Sequence, residues 1–157
     1  MFFGELHTTI DGKGRTSIPA KHRQVLVDAF GDERFFVTKC LVRVGEEELC
    51  RGLSVYPYRE FLALAERLKK GDGYTSAQLS GMKRLLIAPA EECVADRQGR
   101  VLIPPSLRAY AELERELVFV GMENKIDVWN LATWDKVFSQ AEMDYLSASE
   151  VSALSVV

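Results

Sequence analysis

The chain has 157 residues, enough for one domain or for two small ones that share a core. Hydrophobic residues make up 47% and charged residues 27%, which excludes a disordered chain and is typical of a globular protein. The formal net charge of −3 excludes a chain that is basic overall, but it allows a local basic surface. No run is apolar enough to span a membrane and no secretory signal is visible, so a cytoplasmic location is expected.

Strands, turns and amphipathic helices follow one another in an order that occurs twice. The apolar periodicity and the positions of Pro and Gly predict the elements. The first series comprises strands 6–10 and 15–18, helix 20–30, strands 35–39 and 53–56, and helix 59–70. A bridging helix over 76–88 precedes strands 92–95 and 100–103, helix 105–111, strands 117–121 and 126–129, and helix 132–141.

A sequence repeat explains this order. Residues 9–23 align without a gap with residues 94–108, and six positions are identical in the pattern D-x-x-G-R-x-x-I-P-x-x-x-R. We therefore interpret 1–72 as the first copy of a β-rich unit and 73–141 as the second copy. Residues 142–157 form an acidic tail that we expect to be mobile. The segment Arg43–Arg51 has no counterpart in the second copy and is predicted to be an inserted hairpin tip or loop.

The cysteines and histidines provide little material for a metal site or a catalytic triad. Cys40, Cys50 and Cys93 are odd in number and lack C-x-x-C spacing, while His7 and His22 belong to no metal-binding pattern. We therefore expect no catalytic residues, no metal, no cofactor and no small-molecule substrate.

The repeated motif resembles the AbrB-type swapped-hairpin DNA-binding motif, and two copies in a chain of this length resemble the MraZ family. Further similarity lies in Phe3-Gly4-Glu5, Tyr56-Pro57, Glu91-Glu92-Cys93, Ile103-Pro104-Pro105 and the stretch 121–129. The resemblance implies an α+β fold. Its centre would be a β-rich, double-split swapped-hairpin barrel made of two tandem pseudo-symmetric repeats with flanking amphipathic helices.

The same resemblance implies a function. It is that of a bacterial, sequence-specific transcription regulator without enzymatic activity. Such a protein would bind repeated double-stranded DNA elements in the promoter of the division and cell-wall gene cluster, which includes its own gene, and would act as a repressor. The resemblance also implies a homo-oligomeric ring associated with the nucleoid. The aromatic residues Phe2, Phe3, Tyr56 and Trp129 are candidates for its interface, and the sequence leaves open which of them belong to the core instead.

The repeated turns are locally basic, which suits binding to DNA. The formal charge is about +3 over 11–23 and about +2 over 96–108, so the first copy is expected to be the main reader. Lysine and arginine neutralise phosphates, and arginine also forms paired hydrogen bonds with guanine. The residues expected to bind DNA are Lys13, Arg15, Lys21, Arg23, Arg97 and Arg100. The residues expected to shape the turns are Asp11, Gly14, Asp96 and Gly99.

The arginines of the motif could have structural roles instead of binding DNA. Arg15 and Arg100 each follow an aspartate by four residues and could pair with it to fix the turn. Arg23 and Arg108 could instead support packing between the two copies.

Two other functions are also open for the whole chain. One is an antitoxin-like or scaffold protein of the same fold, whose main partner is another protein. The other is a metal-dependent hydrolase that uses Glu91, Glu92 and Asp96.

Overall fold

The computed structural model describes residues 1–31 and 33–151 of the chain, with side chains as far as residue 148. Its elements begin and end as follows. They are β1 (Glu5–Thr9), β2 (Arg15–Ser17), α1 (Ala20–Phe30), β3 (Arg34–Val44), β4 (Glu48–Pro57), α2 (Tyr58–Lys70), α3 (Ser76–Met82), a π-helical turn (Lys83–Ile87), β5 (Glu91–Val94), β6 (Arg100–Leu102), α4 (Pro105–Tyr110), β7 (Glu116–Gly121), β8 (Ile126–Asn130) and α5 (Leu131–Val151).

The strands of the two sequence copies interleave. Six strands form one antiparallel sheet in the order β1-β7-β8-β4-β3-β5, and β2 pairs with β6 in a separate two-stranded ribbon. The first strand of each copy pairs outside its own copy, because β1 lies against β7 and β5 lies against β3. The fold is therefore of the α+β class, with an antiparallel sheet to which both copies contribute.

The largest of three hydrophobic clusters among the described residues reflects this exchange. Ile18, Leu26 and Phe35 of the first copy belong to the same buried cluster as Leu107 and Phe119 of the second copy. Burying each large apolar side chain contributes about 1.5–3 kcal/mol, so much of the stabilisation comes from contacts that neither copy makes alone. The ribbon is attached to this core through the buried residues Thr16 and Val101.

Prolines and glycines set the ends of the helices. α1 and α2 begin directly after Pro19 and Pro57, whose extended backbone does not continue a helix towards the N-terminus. They end at Gly31 and Gly71, which adopt positive φ angles of 64° and 69° and donate their N–H groups to the last helical turn. The sequence predicts α1 at its observed bounds and α2 with a start one residue too late.

The predicted extents of β3, β4 and the last helix are wrong. β3 and β4 are much longer than predicted, because ten cross-strand pairs run from Phe35↔Pro57 to Val44↔Glu48, and segment 43–51 is the tip of that hairpin. The last helix does not end at Ala141 but continues to Val151, since residues 142–151 contain neither glycine nor proline. The remainder of the expected mobile tail, 152–157, lies outside the described residues.

The aromatic candidates for an oligomer interface divide into core and surface residues. Phe2, Tyr56 and Trp129 are buried within the chain, which answers for these three the question of core or surface that the sequence left open. Phe3 is 57% exposed. Within residues 1–31 and 33–151, no helix has the length and apolar character needed to cross a membrane.

Candidate nucleic-acid interface

The carboxylate of Asp11 holds the first repeated turn together. Its Oδ1 accepts the backbone N–H groups of Lys13 at 2.9 Å and Arg15 at 3.0 Å, and its Oδ2 accepts Nε of Arg15 at 2.8 Å. Gly14 completes the reversal with a φ of 88°, which residues with a Cβ rarely adopt. Hydrogen bonding, foremost from the backbone N–H of Arg15, lowers the pKa of Asp11 to about 2. The carboxylate is therefore ionised at neutral pH.

The second turn repeats this geometry. Oδ1 of Asp96 accepts the backbone N–H groups of Gln98 at 2.8 Å and Arg100 at 2.9 Å, and Oδ2 accepts Nε of Arg100 at 3.0 Å. Gly99 has a φ of 80°, and the pKa of Asp96 is lowered for the same leading reason, the backbone hydrogen bond from Arg100. The matching geometry gives no reason to rank the first turn above the second.

Arg15 and Arg100 each pair with an aspartate and keep part of the guanidinium group available for a second contact. Each pairs with its aspartate through Nε, and each side chain is about half exposed, at 48% and 50%. In the described part of the chain, neither side chain uses its terminal Nη atoms in a hydrogen bond to protein. The aspartate thus orients the guanidinium while the two outer nitrogens face solvent.

The β2–β6 ribbon brings these two arginines onto one surface. Its register pairs Arg15 with Leu102 and Ser17 with Arg100, while the residues between them point into the core. Because directly paired residues share a face, Arg15 and Arg100 lie diagonally, with Cα atoms about 7–8 Å apart. Ser17 and Leu102 complete this exposed face and were not predicted as site residues. Their alternation with the buried residues Thr16 and Val101 was the available signal.

Each turn is supported by an arginine from the other sequence copy. Arg108 of α4 donates through Nη1 to the carbonyl of Gly12 at 3.0 Å and through Nη2 to that of Asp11 at 3.2 Å. Arg23 of α1 lies against the second turn so closely that a Cβ at Gly99 would collide with its guanidinium group. Arg23 is half-buried, whereas a DNA contact would be expected to be exposed. This position agrees with the other role considered for Arg23, packing between the two sequence copies.

The other predicted cations are exposed but do not all lie together. Lys13 belongs to the same turn as Arg15, and Arg97 belongs to the same turn as Arg100. Lys21 lies at the start of α1, where its Nζ is 3.8 Å from the centre of the Phe3 ring. The two turns and the ribbon are therefore the candidate interface. Lys21 is not part of either turn, and its ammonium group makes a cation–π contact with Phe3.

The three acidic residues considered for a hydrolase do not form one acidic site. Glu91 and Glu92 lie on β5, whereas the carboxylate of Asp96 is occupied by the hydrogen bonds of its own turn. Among the residues that the structure describes, no three His, Cys, Asp or Glu side chains form a group that could hold a metal ion.

Comparison with known proteins identifies the class to which this chain is similar. A family model described as "MraZ protein, putative antitoxin-like" matches residues 86–154. The protein named transcriptional regulator MraZ of Geobacter sp. (strain M21) is 55% identical over 148 residues, 92% of each chain. Those of Geotalea daltonii and Geotalea uraniireducens are 57% identical over 143 residues and 55% identical over 156 residues, covering 89% and 98% of each chain.

These relatives belong to one class, the transcriptional regulators. Identity of this degree over nearly the whole length shows that the chain belongs to the MraZ family. The solution structure of PHS018 from Pyrococcus horikoshii is similar over 82% of this chain and 88% of that one. The TM-score of this match is 0.34 and its sequence identity is 19%.

Proposed function

We propose that this regulator binds double-stranded DNA sequence-specifically through the β2–β6 ribbon and its two turns. The observation that carries the proposal is the solvent face of the ribbon, on which Arg15 and Arg100 are both half exposed and oriented by an aspartate. A two-stranded ribbon fits the major groove, and an arginine with free Nη atoms can donate two hydrogen bonds to guanine. Lys13 and Arg97 at the turns then neutralise phosphates on either side.

The other predicted residues have supporting roles in this proposal. Arg23 and Arg108 keep the turns in shape from the opposite copy, and Lys21 contributes positive charge at the edge of the interface. The two copies, 1–72 and 73–141, act together as one swapped-hairpin barrel of the AbrB type. The pairing of β1 with β7 and of β5 with β3 supports that arrangement.

The proposed target is a set of repeated elements in the promoter of the division and cell-wall gene cluster, including the promoter of the chain's own gene, which it represses. The names of the relatives support a role in transcription, and the target itself is what the family resemblance implies. One chain offers only two oriented arginines on its ribbon, so several copies in a ring would gain affinity by binding repeated sites together. The ring would be cytoplasmic and associated with the nucleoid.

Fluorescence anisotropy with a labelled duplex from upstream of the gene tests the proposal. The comparison duplex has the same bases in shuffled order. Arg15→Ala should weaken binding to the upstream duplex by about 5- to 150-fold, because one bidentate arginine–guanine contact is worth about 1–3 kcal/mol. The matched control is Arg43→Ala, an exposed arginine on the β3–β4 tip, about 30 Å along β3 from the second turn. Equal binding of both duplexes by the wild type would overturn the proposal.

The antitoxin-like alternative is favoured by the description of the matched family model. In that case a protein would be the main partner, and the ribbon arginines would have no special role in binding DNA. The alternative therefore predicts that Arg15→Ala and Arg43→Ala bind both duplexes equally and no more weakly than the wild type.

A further inference from the structure

A pocket of about 400 Å³ lies between α1 and the second repeated turn. Five residues of α1 form one side of it, and residues 95–97, which lead from β5 into the turn, line it from the second copy. The pocket therefore lies where the two sequence copies meet. We refer to it as the α1 pocket.

The floor of the α1 pocket is apolar. Leu26 and Phe35 line it and belong to the large buried cluster, and Val27 adds an apolar side chain that is 49% exposed. A ligand with an apolar part would cover this surface and remove it from water. A concave site with an apolar floor and a few polar groups is typical of small-molecule binding.

Two arginines bring positive charge to the α1 pocket. Arg97 is exposed on the second turn, and Arg23 is half-buried on α1. Nε of Arg23 is buried and has no hydrogen-bond partner among the residues that the structure describes. Arg108 has the equivalent position in the sequence repeat, and its Nε donates to the carbonyl of Leu113 at 3.4 Å. The guanidinium of Arg23 thus lacks an acceptor that its counterpart has, and a carboxylate or phosphate is the kind of acceptor that arginine prefers.

The carboxylates that line the α1 pocket do not cancel this positive charge. Asp96 is already occupied, because it pairs with Arg100 and accepts backbone N–H groups of its own turn. Glu33 is exposed, so solvent and salt screen its charge. Two arginines therefore face one remaining carboxylate, and the pocket favours an anion over a cation.

The α1 pocket also adjoins the surface proposed to bind DNA. Arg23 lies so close to Gly99 that a Cβ there would collide with its guanidinium, and Arg97 is one of the two cations proposed to neutralise phosphates. An anion held by Arg97 in the pocket would compete with a DNA phosphate for the same side chain. Ligand binding and DNA binding would then oppose each other.

We propose that the α1 pocket binds a small organic anion, a carboxylate or phosphate attached to an aromatic or aliphatic group. The charged group contacts Arg23 and Arg97, and the apolar part lies on the floor formed by Leu26, Val27 and Phe35. Occupation of the pocket weakens DNA binding, because Arg97 is then engaged. The ligand site itself requires no DNA, whereas its effect on DNA binding rests on the proposed function.

Fluorescence titration of the full-length chain with anilinonaphthalene sulfonate, an aromatic anion, tests the site without DNA. The wild type should bind the probe saturably. Val27→Trp fills the pocket and should weaken binding of the probe by about 10-fold or more. Glu33→Gln removes the opposing charge and should strengthen binding by about two-fold. The matched control is Leu62→Trp, at an exposed apolar position on α2, which should bind the probe as the wild type does.

Glu33→Gln, a surface substitution, also decides the question if Val27→Trp does not fold, which thermal melting would reveal. The site would be overturned if the wild type showed no saturable binding of the probe. It would also be overturned if Glu33→Gln and a folded Val27→Trp both bound the probe with the wild-type affinity.

Anisotropy of the upstream duplex, labelled with a red-emitting dye, tests the effect on DNA. Saturating probe should weaken DNA binding by the wild type several-fold and should not affect DNA binding by Val27→Trp. Unchanged affinity of the wild type with its pocket occupied would overturn the opposition between ligand and DNA. A wild type that binds the upstream and shuffled duplexes equally would instead contradict the proposed function, while the titration without DNA still decides the ligand site.

Discussion

Each ribbon arginine is held through Nε of its guanidinium group, and its Nη atoms make no hydrogen bond to any residue that the structure describes. Nε is bound to the aspartate four residues earlier, so the plane of the guanidinium is fixed before any ligand arrives. Lysine is less suited to both roles, because its three donors share one nitrogen and cannot present the two parallel N–H groups of a guanidinium. Fixing the side chain in advance reduces the entropy lost on binding and favours a specific partner over a diffuse anionic surface.

Acid should weaken the first turn. The pKa of Asp11 in the folded chain is about 2, below its ordinary value of 3.8, so its contribution to stability is complete above about pH 4 and is lost as the pH falls towards 2. Asp11→Asn lacks the ionised oxygen that accepts Nε of Arg15. We expect the wild type to have the higher melting temperature near pH 6, with a difference that shrinks as the pH falls below about 4. A constant difference across thermal melts at these pH values would contradict this prediction.

The glycines of the motif should respond differently to the same substitution. Gly99→Ala should destabilise the chain by about 1–2 kcal/mol, because φ is 80° and the new Cβ would also meet the guanidinium of Arg23. Gly12→Ala is the control, since a Cβ at this position meets no atom within 4 Å. Urea denaturation should show a loss for the first variant and little change for the second. Equal effects would show that the turn geometry is not what restrains Gly99.

At the scale of elements, helix ends that a proline or a glycine marks are easier to predict than strand lengths and pairings. The start of α1 after Pro19 and its end at Gly31 are local signals, and they fixed both of its boundaries. The extent of β3 and β4 depends on cross-strand pairs, and the pairing of β1 with β7 joins residues more than a hundred positions apart. Neither feature leaves a trace in short-range periodicity.

The site shows the same division between local and long-range information. The aspartate, the glycine and the arginine of each turn could be identified from the repeat. The supporting contact of Arg108 with Gly12 could only be considered as an alternative, because it joins two elements that are 96 residues apart. The shared face of Arg15 and Arg100 also depends on the β2–β6 register, which required the structure.

Arg108 of α4, which supports the first turn, should influence DNA binding without touching DNA itself. Arg108→Lys keeps the charge but removes the paired donors to the carbonyls of Asp11 and Gly12. We expect binding to the upstream duplex to weaken by several-fold, with a loss of folding stability of about 1 kcal/mol. Anisotropy and urea denaturation check the two effects, with Arg43→Lys as the control. Unchanged affinity for the upstream duplex would show that the turn keeps its shape without the hydrogen bonds from Arg108.

For the whole molecule, the interleaved strands make the two sequence copies parts of one structural unit. The ribbon consists of one strand from each copy, and each turn is supported by an arginine from the other copy. The net charge of −3 therefore conceals a surface on which two oriented arginines, with Lys13 and Arg97 beside them, form a local positive region. Local charge governs association with DNA more than the total does.

The most direct measurement is the discrimination between the upstream duplex and the shuffled duplex by Arg15→Lys/Arg100→Lys, followed across a range of salt concentrations. This variant keeps the charges but lacks the bidentate donors, so the account predicts little change in binding to the shuffled duplex and in the salt dependence, together with a loss of preference of 10-fold or more. Full preference for the upstream duplex in this variant would contradict recognition through the two ribbon arginines.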